Sequence, residues 1–202
     1  ILPMWKDLSK ELYHMLVLHE VGHALYTDAD GWKKELVANV KLKGALNVIE
    51  DARIEKLMKR KYPGARRDFR LGYHLLMDRD FFGLSRMDIQ KMSLGDRINL
   101  HYKIGDHITV PFSKAERIFI NATDEVETFA DAVRIAKELL AFVNNEEVTQ
   151  EFKHEFGQSK PDDEDDDGDE DSDEDSDGDE ETEDSDGDDG DEDSDDDSDG
   201  DE

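Results

Sequence analysis

The sequence contains no cysteine in its 202 residues. This absence excludes a disulfide framework and a metal site built from thiolates, and it is typical of proteins of a reducing compartment. Long apolar runs are also missing: the longest near the N-terminus, at 15–18, is far shorter than the roughly 20 residues of a membrane-spanning helix. No basic segment followed by an apolar one opens the chain, so we expect neither a signal peptide nor a membrane partner.

Basic residues are absent beyond Lys160, although the whole chain has 25 Lys and Arg. Of its 55 acidic residues, 30 lie between Pro161 and Glu202, so the segment before them is formally neutral and the net charge of -30 belongs to the tail. A segment without apolar residues cannot bury enough surface to offset chain entropy. We therefore predict a folded domain over 1–158 and a disordered acidic tail over 159–202. The tail's charge argues against nucleic acid as a partner.

The apolar residues of the first part recur with the 3.6-residue period of amphipathic helices, which predicts a mainly α domain with little strand. Ser9 or Asp7 can cap the first helix, and the stretch 28–31 can end it. Ser85 and Ser113 begin patterns typical of capping boxes, and Thr123 is a further candidate cap. The predicted helices span about 8–27, 42–61, 65–82, 85–102 and 126–143, with a short extended piece at 107–110.

The first predicted helix carries His19-Glu20-Val21-Gly22-His23, which fits the pattern H-E-x-x-H. Residues four apart lie on one helix face, so both imidazoles can bind one zinc ion. Glu20 is offset by one position and can reach the open coordination site as a general base. The alternative is a buried histidine pair that neighbouring carboxylates stabilise without metal.

A catalytic zinc site needs a third protein ligand. The metzincin pattern would place Gly at 26 and His at 29, whereas this chain has Tyr26 and Ala29, so that class is excluded. A gluzincin instead takes a glutamate from a later helix, and Glu50 is the candidate because Ile49 and Ala52 bracket it in an apolar-periodic segment.

Several neighbours leave this assignment open. Asn47 or Asp51 can support a ligand by hydrogen bonding, and the fallback ligands are Asp51, Asp28 and Asp30. Alternatively, the charged residues of 50–55 form a solvated helix face and bind nothing. The residues that could stabilise an oxyanion are Tyr73 and His74, followed by His101 and Tyr102.

Three stretches resemble a group of predicted metallopeptidases of large tailed bacteriophages: HEVGHALYTDADGW, ALNVIEDARIEKLMKRKYPGARRDF and DRDFFGL. The likeness covers roughly 10–85. It implies a zinc peptidase-like domain with motif positions at His19, Glu20, His23, Asn47, Glu50 and Asp51. It also implies an acidic linker and then a von Willebrand A-type domain similar to that of cobaltochelatase subunits.

Zincin folds place a sheet before the active-site helix, yet only 18 residues precede His19. We therefore expect either an N-terminally truncated piece of a longer protein or a helical variant of the fold. The function that these observations predict is that of a gluzincin-like, zinc-dependent peptide hydrolase acting on a peptide or protein. The alternative is a non-catalytic zinc-binding structural or assembly module. The resemblance suggests the cytoplasm of an infected bacterium or the virion as its location.

Overall fold

The structure is a computed structural model and describes residues 8–157. The predicted acidic tail, 159–202, and the boundary at 158 lie outside the described residues. Within 8–157 the chain forms eight α-helices and one short 3-10 helix, and no strand. The mainly α prediction is thereby confirmed for this part of the chain, whereas the zincin-like fold stays a prediction. None of the described helices has the length and apolar character needed to cross a lipid bilayer.

The helices follow one another along the chain, and the 3-10 helix, Ile89–Lys91, lies between the fourth and the fifth. Their bounds are α1 Lys10–Tyr26, α2 Ala29–Ala38, α3 Leu42–Lys61, α4 Ala65–Asp78, α5 Leu94–Ile104, α6 Arg117–Asp124, α7 Phe129–Val143 and α8 Gln150–Phe156.

Helix α3 lies at the centre and packs against α1, α5 and α7. Its bounds agree with the predicted helix over 42–61. The last turn carries three basic residues, 59–61, whose positive charges interact favourably with the negative end of the helix dipole and stabilise the helix. The helix ends at Lys61 because Pro63 disfavours helical geometry in the residue before it, the C-cap Tyr62.

Helix α1 begins where the sequence predicted it, with the Ser9 hydroxyl oxygen accepting a hydrogen bond from the Leu12 amide at 3.2 Å. It ends at Tyr26, and its end differs from expectation in one respect. Asp28 follows the end of α1, and its side chain also accepts a hydrogen bond from the Gly31 amide at 2.9 Å. Asp28 is thereby the N-cap of α2, a helix that the apolar pattern did not predict.

The predicted helices over 65–82 and 85–102 were wrong at the segment between them. Asp80 and Gly83 have φ values of 53° and 69°, which interrupt helical geometry. Ser85 does not cap a helix, because its amide donates to the Asp80 carboxylate at 2.9 Å. Helix α5 instead begins after Ser93, whose hydroxyl accepts from the Asp96 amide at 3.1 Å.

The C-terminal helices also correct the predicted caps. The N-cap of α7 is Thr128, which forms a capping box with Asp131, whereas Thr123 lies buried inside α6. The capping-box bonds predicted for Ser113 and Glu116 are present, although α6 itself begins one residue later, at Arg117. Residues 107–110 form a turn and an irregular segment, and α8 was not predicted.

Two groups of buried apolar side chains stabilise the domain. The larger group, which we call the apolar core, joins the first half of α3 to α5–α8 and includes Leu46, Ile49, Phe119, Leu139 and Phe152. The second group joins α1 and α4 to the end of α3 and the end of α5, and includes Leu12, Met15, Met58, Phe69 and Leu100.

Two glycines allow α1 to approach its neighbours closely. A Cβ atom on Gly22 would lie 2.8 Å from Cδ1 of Ile54 on α3. A Cβ atom on Gly72 of α4 would lie 2.5 Å from Cβ of Met15. Because Gly22 lies between Glu20 and His23 in the chain, its missing side chain determines how near the H-E-x-x-H motif comes to the middle of α3.

Candidate metal centre

The two histidines of the motif lie one turn apart on α1 and face the middle of α3. Their ring centroids are 4.8 Å apart. The Oδ1 atom of Asp51 on α3 lies 3.1 Å from Nε2 of His23 and 3.8 Å from Nε2 of His19. One potential ligand atom from each of these three residues lies within 4.8 Å of the other two. Among the described residues this is the only such group of three or more His, Asp or Glu side chains.

The second nitrogen of each imidazole has a partner that determines its tautomer. Nδ1 of His19 lies 3.1 Å from Oε1 of Glu55, and an ionised carboxylate only accepts hydrogen bonds. Nδ1 of His23 lies 3.0 Å from the Thr27 hydroxyl, which itself donates to Glu50 at 2.6 Å and therefore accepts from the ring. Both Nδ1 atoms thus donate to their partners, so a neutral ring has its lone pair on Nε2, where a metal ion between the rings and Asp51 would accept it. Without metal, Nε2 of His23 carries a hydrogen and donates it to Asp51, because a carboxylate only accepts.

Asp51 is buried, with 7% of its surface exposed, and both of its oxygens are used. While Oδ1 faces the imidazoles, Oδ2 accepts from the Lys103 ammonium at 3.1 Å. Burial alone would raise the pKa of Asp51, but the hydrogen bond from His23 and the charge of Lys103 lower it below its ordinary value. The same hydrogen bond raises the pKa of His23. In the absence of metal, the carboxylate therefore favours a protonated His23.

A buried hydrogen-bond network lies behind His19. The Tyr73 hydroxyl donates to Glu55, and Lys103 donates to both of them, at 3.0 Å to Tyr73 and 3.3 Å to Glu55. Burial would raise the pKa of Glu55, which is 2% exposed, but Lys103 and the bond to His19 hold it well below its ordinary range. Glu55 is consequently a permanent negative charge that orients His19.

Glu50, the predicted third ligand, forms hydrogen bonds with Arg53 and Thr27. Its carboxylate is fully buried and accepts from Nε of Arg53 at 2.8 Å and from Nη2 at 2.6 Å. It also accepts from Thr27, so it supports His23 through that hydroxyl. Asp51, one of the fallback ligands, is the carboxylate that the structure brings to the two Nε2 atoms. Glu50 as a metal ligand stays a prediction.

Glu20, the predicted general base, is exposed and lines a cleft of about 460 Å³ together with His23, Thr27, Trp32 and Asn47. The pKa of His23 is raised chiefly by its hydrogen bond with Asp51, and the charge of Glu20 adds to this effect. Asn47 belongs to the rim of this cleft and not to the buried network. The cleft gives solvent-side access to one side of the histidine pair.

The other sequence-predicted site residues lie elsewhere. Asp28 caps α2, and Asp30 is an exposed residue of its first turn. Among the oxyanion candidates, Tyr73 is buried and its hydroxyl donates a hydrogen bond to Glu55. The ring of His74 stacks on the ring of His107, with centroids 4.7 Å apart. None of the four oxyanion candidates, Tyr73, His74, His101 and Tyr102, is among the described residues that line the cleft beside Glu20.

Three supporting residues escaped the sequence analysis. Glu55 was considered only under the alternative of a solvated helix face, yet the charged residues of α3 between 50 and 55 are all buried. Its spacing of four from Asp51 was a usable signal, because the two share a face of α3. Thr27, four residues after His23, follows the same rule. Lys103 had no signal, since it comes from a helix that is distant in the chain.

Comparison of the chain with protein-family models, with curated proteins and with solved structures finds no match.

Proposed function

We propose that this domain is a zinc-dependent peptide hydrolase in which His19, His23 and Asp51 hold the metal and Glu20 is the general base. The observation that carries the proposal is the convergence of two Nε2 atoms and one carboxylate oxygen within 4.8 Å, beside a cleft that Glu20 lines. The protein or peptide nature of the substrate comes from the H-E-x-x-H motif and its mechanism.

The residues present suit zinc. Two neutral imidazoles and a carboxylate are ligands of the kind found in catalytic zinc sites. Zinc bonds of about 2.0–2.2 Å put tetrahedral donor atoms roughly 3.3 Å apart. The separations of 3.1 Å and 3.8 Å from Asp51 to His23 and His19 bracket that value. Each imidazole also has a polar partner on Nδ1, Glu55 for His19 and Thr27 for His23, which is the usual second layer of such sites.

Zinc, when bound, would supply a Lewis acid that activates water and polarises the substrate carbonyl. Glu20 would accept the proton of the attacking water and return it to the leaving amine. Asp51 would keep its place because Lys103 holds its other oxygen. Glu55 and Thr27 would keep both imidazoles in the tautomer that leaves Nε2 free.

Two features favour an enzyme over a closed structural site. Only three ligand groups converge within the described residues, which leaves a coordination position for water or substrate. The charged side chain of Glu20 lies at a cleft next to His23, where a purely structural site would have no use for it.

One observation favours the second candidate, a non-catalytic module. All four ring nitrogens of His19 and His23 already lie near a polar side chain of the protein. Such a network is self-sufficient without metal and would serve as a stabilising or assembly element.

The test is the zinc content and zinc affinity of the purified chain. We expect one zinc per chain for the wild type and for Glu20→Gln, and loss of zinc in His23→Ala and Asp51→Ala. Asp30→Asn is the matched control, because it removes a carboxylate outside the cluster and should keep zinc. Glu50→Gln decides between the two carboxylates: retained zinc favours Asp51, whereas loss in Glu50→Gln with retention in Asp51→Ala would transfer the ligand role to Glu50.

Cleavage of an unfolded polypeptide by the zinc-loaded protein then separates the two functions. We expect cleavage by the wild type and by Asp30→Asn, and none by Glu20→Gln. Zinc bound with full occupancy but no cleavage of any unfolded substrate would favour the module. Absence of zinc in the wild type would refute the metal site itself.

A further inference from the structure

Six basic residues lie between positions 59 and 70, where α3 ends and α4 begins, and Asp68 is the single acidic residue among them. Three of the six have partners. Lys59 pairs with Glu55 at 3.3 Å, Arg60 donates to Glu127 at 2.7 Å, and Lys61 lies over the ring of Tyr62. The other three, Arg66, Arg67 and Arg70, are exposed and form no ion pair with any residue of the described part of the chain.

These three arginines line one cleft of about 650 Å³, together with Lys59, Lys103, Tyr73, Tyr102 and one acidic residue, Asp106. This volume is within the range of about 300–1,000 Å³ that small-molecule sites occupy. Tyr73 and Lys103 form its inner wall, and their polar ends are already engaged by Glu55 and Asp51. The charges available to a ligand are therefore mainly the three guanidinium groups, against the single carboxylate of Asp106.

Arg66 and Arg67 lie in the first turn of α4, a position that is unfavourable for folding. The first turn of a helix is the positive end of its dipole, where acidic side chains stabilise and basic ones do not. Helix α4 begins at Ala65 and has no side-chain cap. The one acid of its first turn, Asp68, lies against His14 of α1 at 3.4 Å. A local rule broken without compensation inside the fold is a common mark of a functional site.

We propose that this cleft binds a compact, multiply charged phosphate compound, such as a free oligophosphate or the phosphate groups of a nucleotide. Guanidinium groups recognise phosphate through paired hydrogen bonds of fixed geometry, which makes arginine the suitable residue for it. The ligand is compact because the cleft, with a volume of about 650 Å³, has the size of a small-molecule site and not of an extended groove. The site is independent of the proposed zinc chemistry.

The test is calorimetric titration of the full, zinc-free chain with tripolyphosphate and with ATP, with adenosine as the uncharged comparison. We expect saturable binding at one site per chain, weakened at least roughly tenfold when Arg66, Arg67 and Arg70 are all changed to Gln, since the phosphate groups then lose their charged hydrogen-bond donors. Changing the same three residues to Lys should restore only part of the affinity, because lysine keeps the charge and loses the paired geometry.

A second triple variant, with exposed lysines changed to Gln, matches the loss of charge and should bind like the wild type; it comprises Lys10, Lys43 and Lys114. Equal binding of ATP and tripolyphosphate identifies the phosphates as the ligand, and much tighter binding of ATP identifies a nucleotide. Either supports the site. No binding of both compounds, equal weakening in the two Gln variants, or tighter binding of an acidic peptide or of DNA would overturn the proposal.

Discussion

Helices α7 and α3 pack against each other, yet α7 and the middle of α3 bury opposite kinds of side chain. The inward face of α7 is wholly apolar, with Ala132, Ile135, Ala136 and Leu139 nearly inaccessible. The middle of α3 buries charged groups instead, from Glu50 to Glu55. Burial of apolar surface accounts for α7 by itself, since it stabilises by about 25 cal/mol per Å². The charged stretch of α3 needs another explanation, because buried ion pairs seldom stabilise more than apolar residues of the same size.

The charged stretch is tolerated because each charge has several partners. The guanidinium of Arg53 donates to Glu50, to the backbone oxygen of Tyr26 at 2.7 Å and to that of Glu127 at 3.3 Å. These bonds connect α3 to the end of α1 and to the start of α7. A fully bonded buried network has one geometry, which is what a binding site requires of its supporting residues. The comparison indicates that α7 serves stability and the middle of α3 serves the site.

The largest effect on stability is expected from a change in the charged stretch of α3. Arg53→Met leaves the buried Glu50 carboxylate without its cation and should lower the free energy of unfolding by about 3–5 kcal/mol. The measurement is urea denaturation followed by circular dichroism. The double variant Glu50→Leu, Arg53→Met removes both charges and should recover most of that loss. If the double variant were no more stable than the single one, the buried pair would be stabilising in its own right.

The next largest effect is expected from a change in the apolar face of α7. Leu139→Ala opens a cavity in the apolar core and should lower the free energy of unfolding by about 2–5 kcal/mol. Its zinc affinity, measured by competition with a chelator at a temperature where the variant is folded, should equal that of the wild type. A marked loss of zinc affinity would show that α7 also positions the site. It would contradict the assignment of stability to α7 and of the site to α3.

The smallest effect sharpens the role of the charged stretch. Glu55→Gln keeps the shape of the side chain but removes the charge that orients His19. It should lower zinc affinity about 10–100-fold, as is typical for loss of such a supporting partner. Glu151→Gln, the same change at an exposed position, is the control and should leave zinc affinity unaltered. Unchanged affinity in Glu55→Gln would mean that packing alone orients His19.

Local signals predicted much of the fold. The extent of α3 followed from its apolar period and from Pro63, and the start of α1 followed from Ser9. The errors came where one residue can serve two purposes. Asp28 was interpreted as a stop and is also a cap, while Ser85 has the spacing of a cap and instead bonds to Asp80. A capping pattern is a local propensity, and the surrounding packing decides whether a helix follows it.

The predicted site divides in the same way. The position of His19 and His23 on one face of a helix follows from their spacing, and the structure shows both on the side of α1 that meets α3. Whether Glu50 or Asp51 meets them could not be predicted, because adjacent helix positions differ by a rotation of about 100° and both have carboxylates. Arg53 and Thr27 engage Glu50, which leaves Asp51 facing the imidazoles.

The sequence by itself determined the helical class, the pairing of the two imidazoles and the position of Glu20 beside them, because these depend on periodicities within single helices. Only the tertiary structure decided which carboxylate approaches the histidines, that Lys103 supports it, that Tyr73 supports Glu55, and that three arginines share a cleft. Those relations join residues from different helices. They depend on how closely α1, α3, α4 and α5 pack, and local propensity contains no information about that distance.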